Sequence, residues 1–308
     1  MPYDAANPEQ PVAATPANLE ARAIAPGEAR INWITGEDGY SDYRPVYSPD
    51  GDAVLFERTE IGSGRTTLYI QRLEGGMPEP FLKDPPAGIG AQTRPDWCRA
   101  TGEVAFCVER GGIWLANGDG TGATPIDGTA GMIYPSWYAD GRSLAVMDTR
   151  GAPRTVRIDR GGRVLERLTP ENLYAGMPSI SQQDPVRLAF PGQPAVPPYK
   201  QENNHIYIVG TDPTSARELD GKQGRAPWWT PNGELLAFES NRDTGDPYRY
   251  AVYLSTPDGS YQVRVTDVRF NAQHPKFSPD ARRIVLAAQP AGGSKENSWA
   301  IGWLQFTT

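Results

Sequence analysis

Only two histidines, His205 and His274, stand among the 308 residues, so a Ser-His-Asp site or a histidine metal cluster would have to be built on one of them. Neither lies in a His-Glu-x-x-His segment, no Gly-x-Ser-x-Gly elbow is present, and no glycine-rich loop opens a helix to cradle phosphate. The two cysteines, Cys98 and Cys107, are too few for a disulfide framework or a cysteine zinc site. No catalytic residue, metal or cofactor is therefore expected. Arginine is the residue type richest in usable chemistry. Arg44, Arg94 and Arg225 stand directly before, or one residue before, a Pro-x-aromatic or Ala-Pro-Trp-Trp segment. Arg58, Arg110, Arg150 and Arg242 each follow an apolar run that ends in Glu57, Glu109, Asp148 or Glu239. The planar guanidinium fork suits carboxylates and phosphates, so seven such residues in related positions point to anion recognition.

The elements that must position them follow from an internal repeat. Tyr43-Arg-Pro-Val-Tyr-Ser-Pro-Asp-Gly-Asp-Ala-Val-Leu-Phe56 and Thr93-Arg-Pro-Asp-Trp-Cys-Arg-Ala-Thr-Gly-Glu-Val-Ala-Phe106 share a proline, an aromatic two residues later, a turn and an apolar strand. Four further copies are anchored on Pro135, Pro178, Pro227 and Pro275, after Pro45 and Pro95. The proline spacing of 40 to 50 residues is the length of one four-stranded propeller blade. Pro-Asp-Gly and Pro-Asn-Gly make tight reversals. After the turn, Val54/Phe56, Val104/Phe106, Leu144/Val146, Leu188/Phe190, Leu236/Phe238 and Ile284/Leu286 recur with the period of two that a buried strand face requires. The fold class predicted is all-β: a six-bladed β-propeller with four-stranded antiparallel blades. Arg167–Thr169 and Arg264–Thr266 read as outer strands. The last copy lacks a fourth strand of its own, and Asn32–Thr35 is expected to supply it, closing the ring over residues 29 to 308.

In such a ring the loop leading into a blade and the loop after its second strand share one face. That places Arg44, Arg94 and Arg225 with Arg58, Arg110, Arg150 and Arg242 around one channel mouth, joined by Tyr43, Tyr134 and His274, which precede or flank the anchoring prolines. These ten residues are the predicted ligand-binding set. Tyr47, Trp97, Trp137, Trp229 and Phe277 recur at equivalent positions and are assigned to the core. Connections after the second strands read as long in blades one, four, five and six, another mark of recognition on that face. In the competing reading, Glu57, Glu109, Asp148 and Glu239 either neutralise the arginines in ion pairs or gather round calcium in the channel as oxygen ligands.

Composition narrows the partners. A net charge of −7 disfavours general nucleic-acid binding, which needs a surplus of Lys and Arg. No apolar run reaches 18 residues, so no membrane insertion is expected, and the first ten residues do not read as a signal peptide. Residues 1 to 28, with five prolines and many alanines, read as an extended arm with a helical turn near 19 to 24.

The repeated Pro-x-aromatic-Ser-Pro-Asp-Gly-x-x-aliphatic-Ala-Phe pattern, clearest at Pro45–Phe56, Pro227–Phe238 and Pro275–Leu286, resembles the blades of the TolB-like propeller family. Two departures stand out: no room for the family's additional N-terminal α/β domain, and a fourth copy without Ser-Pro-Asp-Gly. The resemblance implies an exported, periplasmic setting and a protein or peptide partner. The reading that results is a non-catalytic binding propeller for a protein, peptide or small anionic ligand. The alternatives are a calcium-dependent lactonase-like hydrolase and the sensor domain of a longer membrane-tethered protein.

Overall fold

The computed structural model describes residues 31–289 and 298–306. The arm at 1 to 28, its expected helical turn, and most of the blade-six connection lie outside the described residues. Six antiparallel sheets follow one another along the chain. The first three blades are built from Tyr40–Tyr47, Ala53–Glu60, Thr66–Arg72 and Glu79–Pro80; from Gln92–Trp97, Val104–Val108, Gly112–Ala116 and Thr124–Pro125; and from Met132–Trp137, Ser143–Asp148, Arg154–Asp159 and Val164–Arg167. Blade four uses Leu173–Ala175 with Ser179–Ile180, Leu188–Pro194, His205–Val209 and Arg217–Gln223. Blade five uses Arg225–Trp229, Leu236–Ser240, Ala251–Ser255 and Gln262–Arg264, and blade six Asn271–Phe277, Arg283–Gln289, Ala300–Gln305 and Asn32–Trp33. The protein is a six-bladed β-propeller, and among the described residues no helix is long and apolar enough to cross a membrane.

The first hairpin of each blade is set by its turn residues. Ser48 Oγ accepts the Ala53 N–H at 3.0 Å, and Asp50 Oδ1 accepts the Asp52 N–H at 3.0 Å; Ser278 and Asp280 repeat the arrangement with Arg283 and Arg282. These short side chains satisfy turn N–H groups that the ladder cannot reach. Blade four lacks the Ser-Pro-Asp-Gly sequence, but Ser181 Oγ still accepts the Arg187 N–H at 2.8 Å. Gly176 and Pro178 interrupt its inner strand, and both pieces pair separately with Leu188–Pro194.

The second strands are buried on both faces, which explains their unbroken apolar character. Val54 and Phe56 pack toward Val285, Ala287 and Ile301 of blade six, whereas Leu55 packs toward Val104 and Phe106 of blade two. Each fully buried phenylalanine contributes about 1.5–3 kcal/mol by leaving water. Of the recurring aromatics, Tyr47, Trp137, Trp229 and Phe277 are buried, and Trp97 is partly buried against Phe81.

Closure is made as expected, with one refinement. Asn32 pairs with Trp303 and Trp33 with Gly302, and the Ile34 N–H reaches Ile301 O at 2.8 Å. Thr35 is not part of the strand: its Oγ1 accepts the Ile301 N–H at 2.9 Å. The same device recurs where Thr129 accepts from Ile113, Thr169 from Thr155 and Thr266 from Val252, at 2.8–3.1 Å. The expected outer strands at 167–169 and 264–266 therefore sit further upstream, at Val164–Arg167 and Gln262–Arg264, and their threonines are caps. A hydroxyl on a buried N–H competes with the ladder where the outer strand turns inward.

Deleting residues 1–36 should strip the last blade of its partner strand and lower the melting temperature severely, while deleting 1–24 should leave it unchanged; equal melting of the two truncations would refute this closure. Thr266→Val leaves the Val252 N–H buried and unpaired and should cost about 1–3 kcal/mol in denaturant unfolding.

Candidate functional site at the channel mouth

Every anchoring proline is preceded by a residue in the left-handed region: Arg44 (φ 47°), Arg94 (54°), Tyr134 (56°), Met177 (43°), Ala226 (45°) and His274 (53°). A non-glycine residue held there costs on the order of 1–3 kcal/mol and persists only where its surroundings demand it. In five blades the ladder slips at this point, between Tyr43 and Val46, Thr93 and Asp96, Ile133 and Ser136, Arg225 and Trp228, and Gln273 and Lys276. The bulge re-aims one side chain per blade toward the axis. All six of these residues line a single cavity of about 50 Å³ that opens to solvent.

The proline cannot donate to the ladder, and the bulged N–H before it finds an acceptor on the preceding blade. The Arg94 N–H donates to Glu57 Oε1 at 2.6 Å, and the His274 N–H to Glu239 Oε2 at 2.7 Å. Cys107 takes the Tyr134 N–H in the same way. Glu57, Cys107 and Glu239 occupy one register position, opposite Tyr43, Thr93 and Arg225. Asp96 similarly accepts the Trp137 N–H at 2.8 Å.

These bonds place the carboxylates in the ion pairs of the competing reading. Glu57 also receives Arg44 Nη1 at 2.9 and 3.1 Å, and Glu239 lies 2.9 Å from Arg225 Nε, though poorly aligned for a hydrogen bond. Asp148 is taken by Arg150 and Arg154, and Glu109 sits on an exposed turn. Among the described residues no three His, Cys, Asp or Glu side chains come together as metal ligands would.

The predicted arginine ring divides. Arg44 and Arg94 line the cavity with Tyr134 and His274. Tyr43 lies behind them, its hydroxyl donating to Gln273 Oε1 and its ring 4.8 Å from that of His274. Arg225 is the register equivalent of Tyr43, one residue short of the axis; it is buried and bonded to Gln201 Oε1 and Tyr250 Oη, while Ala226 faces the channel. Arg58 and Arg242 are within blades one and five. Arg58 holds Asp42 and Glu37 and stacks on Tyr40, Phe56 and Tyr69; Arg242 holds Asp220 and Gln262 beside Phe238 and Tyr253. Arg110 and Arg150 are on exposed turns. None of these four lines the cavity, because the second strand is one ladder spacing farther from the axis than the first. The long connection expected in blade one is mostly strand, since only 61–65 join Ala53–Glu60 to Thr66–Arg72.

Sequence reasoning missed Met177, Ala226, Trp228 and Lys276, all in the cavity wall. The signal was present: reading the residues on either side of each anchoring proline as a column returns all four. Lys276 reaches past blade one to blade two, donating to Pro95 O at 3.1 Å beside Asp96 at 3.8 Å, with its ammonium 4.1 Å from the Trp228 ring centre.

The wall and its direct partners hold four cations, Arg44, Arg94, Arg225 and Lys276, against three carboxylates, Glu57, Asp96 and Glu239. Among the described residues Arg94 has no carboxylate partner; its guanidinium bonds Thr93 Oγ1 and lies 4.7 Å over the Tyr134 ring. Arg44 approaches Tyr134 from the other side, its Nη2 donating to the phenol oxygen at 3.4 Å. Burial alone would raise the Tyr134 phenol, but these two guanidinium groups outweigh it and hold its pKa below the ordinary value. Burial, then Arg44, Arg225, Lys276 and Arg94, presses the His274 imidazole well below its usual range, so it is neutral. The Nε atoms of Arg44 and Arg94 and Nε2 of His274 are buried with no hydrogen-bond partner among the described residues.

No family model matches the chain. A 58-residue stretch is 34% identical to the Tol-Pal system protein TolB 1 of Novosphingobium aromaticivorans, covering 19% of this chain and 12% of that protein. The chain's matches span only 10% and 12% of the length of two curated relatives. Among solved structures, an oligogalacturonate lyase in complex with manganese is similar with a TM-score of 0.57 and 13% identity over 97% of this chain and 96% of that one. A putative TolB from Agrobacterium tumefaciens gives a TM-score of 0.55 and 18% identity over 71% and 76%. The fold is that of a TolB-like six-bladed propeller, an architecture that also serves enzymes.

Glu57→Leu would strand the Arg44 guanidinium and the Arg94 N–H together, and should cost about 3–5 kcal/mol in urea unfolding. Arg94→Ala, removing an unpaired cation, should stay within about 0.5 kcal/mol of the parent. Because the folded state keeps His274 unprotonated while the unfolded chain takes up a proton below about pH 6.5, its contribution is complete above that pH and lost as pH falls. Between about pH 7.5 and about pH 5.5 the parent should therefore lose more stability than His274→Gln in matched thermal melts; equal losses would show that His274 is protonated in the fold.

Proposed function

We propose that this propeller is a non-catalytic recognition module that holds an anionic group of a protein or peptide partner in the mouth formed by Arg44, Arg94, Tyr134 and His274. The observation that carries the reading is Arg94, a cation with no carboxylate partner among the described residues on a wall whose other cations are matched. Beside it, the buried Arg44 Nε and His274 Nε2 have no hydrogen-bond partner among the described residues. A low-dielectric cup with one surplus positive charge strengthens attraction for an anion and steers its approach.

The likeness to TolB propellers supports a partner at the cell envelope and an exported location, by fold analogy. A net charge of −7 fits a single basic mouth on an otherwise acidic surface better than any nucleic-acid role. The hydrolase reading would need free channel carboxylates, and Glu57 and Glu239 are committed to backbone N–H groups of the next blade.

The test is fluorescence anisotropy with a labelled acidic peptide. Binding should weaken with rising salt, and Arg94→Ala should reduce affinity about tenfold while folding is unchanged. Equal, salt-insensitive binding by parent and variant would overturn the proposal.

A further inference from the structure

The cavity's two sides differ, and the difference describes a ligand. Its charged arc comes from blades one to three, through Arg44, Arg94 and Tyr134; its apolar arc comes from blades four and five, through Met177, Ala226 and Trp228. The charge count leaves one unmatched positive charge. A carboxylate balances it, whereas a phosphate, with about −1.5 to −2 at neutral pH, overshoots. The cup is also narrowed from below. Lys276 lies two residues deeper along the inner strand than His274, and its side chain crosses to Pro95 O on blade two. A chain can end in such a cup but cannot easily pass through it.

The surroundings of the mouth suit a macromolecule. The connections after the second strands, on the face where the inner strands begin, present Ile61 in blade one, Val196 in blade four and Tyr248 in blade five, exposed by 54%, 69% and 78%. Three exposed apolar residues on loops around one opening extend the contact area beyond what a small anion would use.

We propose that the mouth captures the free C-terminal carboxylate of a partner chain whose last side chain is apolar, the carboxylate meeting Arg94, Arg44 and His274 and the side chain resting on Met177, Ala226 and Trp228. This rests on the anion-binding reading above and deepens it by naming the class of ligand. Capture of a chain terminus by converging donors, with an adjacent apolar pocket for its side chain, is an established mode of peptide recognition.

The experiment uses the full chain and two N-terminally labelled random hexapeptide pools, one with free C-terminal carboxylates and one with C-terminal amides, with sodium acetate and inorganic phosphate as competitors. The free-acid pool should bind at least about tenfold more tightly than the amide pool and be enriched in Leu, Ile, Phe, Val or Met at its last position. Acetate should compete at least as well as phosphate. Arg94→Gln should erase the preference for the free acid while leaving the melting temperature unchanged, and Ala226→Asp should erase the apolar preference. Equal binding of both pools, lost on Arg94→Gln, would overturn the terminus reading and leave the anion site standing with acidic side chains as its ligand. Stronger competition by phosphate would overturn the carboxylate assignment. Pools and competitors all indifferent to Arg94→Gln would overturn the anion site and this inference together.

Discussion

A proline in the inner strand of each blade removes one ladder donor, and the residue before it is held in the left-handed region. That local strain is tolerated because its consequences are used three times over. The bulge turns one side chain per blade toward the axis, frees one backbone N–H, and offers that N–H to the neighbouring blade. Where the neighbour supplies Glu57 or Glu239, the bond is charge-assisted and buried, so two blades are locked at the same point where the channel wall is made. The wall and the ring are thus one device, and a residue that looks functional from the channel can be structural in its chemistry.

That double duty explains which charges are available. Glu57, Asp96 and Glu239 are buried and each has a backbone N–H to hold. Their cationic neighbours Arg44, Lys276 and Arg225 complete those sites. Arg94 stands on a blade whose equivalent acceptor position is Cys107, a thiol, and so it has no carboxylate to answer. The surplus charge at the mouth is therefore traceable to a register position that carries a carboxylate in blades one and five but Cys107, Met147 and Ala287 in blades two, three and six.

Burial sets the sign of the remaining electrostatics. His274 is surrounded by cations and neutral aromatics, which keep its ring unprotonated and make it a hydrogen-bonding group and not a charge. Tyr134, between two guanidinium groups, is instead drawn toward its ionised form. Arg58 and Arg242, by contrast, are occupied away from the mouth, stacked on rings and bonded to carboxylates: Arg58 ties strands of blade one together, and Arg242 joins Asp220 of blade four to Gln262 of blade five.

The sequence by itself determined the number of blades, their inner and second strands, the core aromatics and the closing strand. Each of these follows from short-range rules: a period of two, a turn whose residues bond their own backbone, and a motif that occurs six times. It also carried the column of residues before each proline, from Arg44 to His274, although Arg225 was taken in place of Ala226 because a one-residue bulge is invisible to spacing alone. Only the tertiary structure decided which charges face the axis and which are spent between blades. Glu57 reaching Arg94, Glu239 reaching His274 and Lys276 reaching Pro95 join residues 35 to 181 positions apart. Such contacts depend on how a ring brings neighbouring and next-neighbouring blades together, and no local pattern encodes them. The threonines at 35, 169 and 266 show the same limit at smaller scale: a Leu-Thr or Val-Thr pair reads as strand, and only the inward turn of the chain makes the hydroxyl a cap.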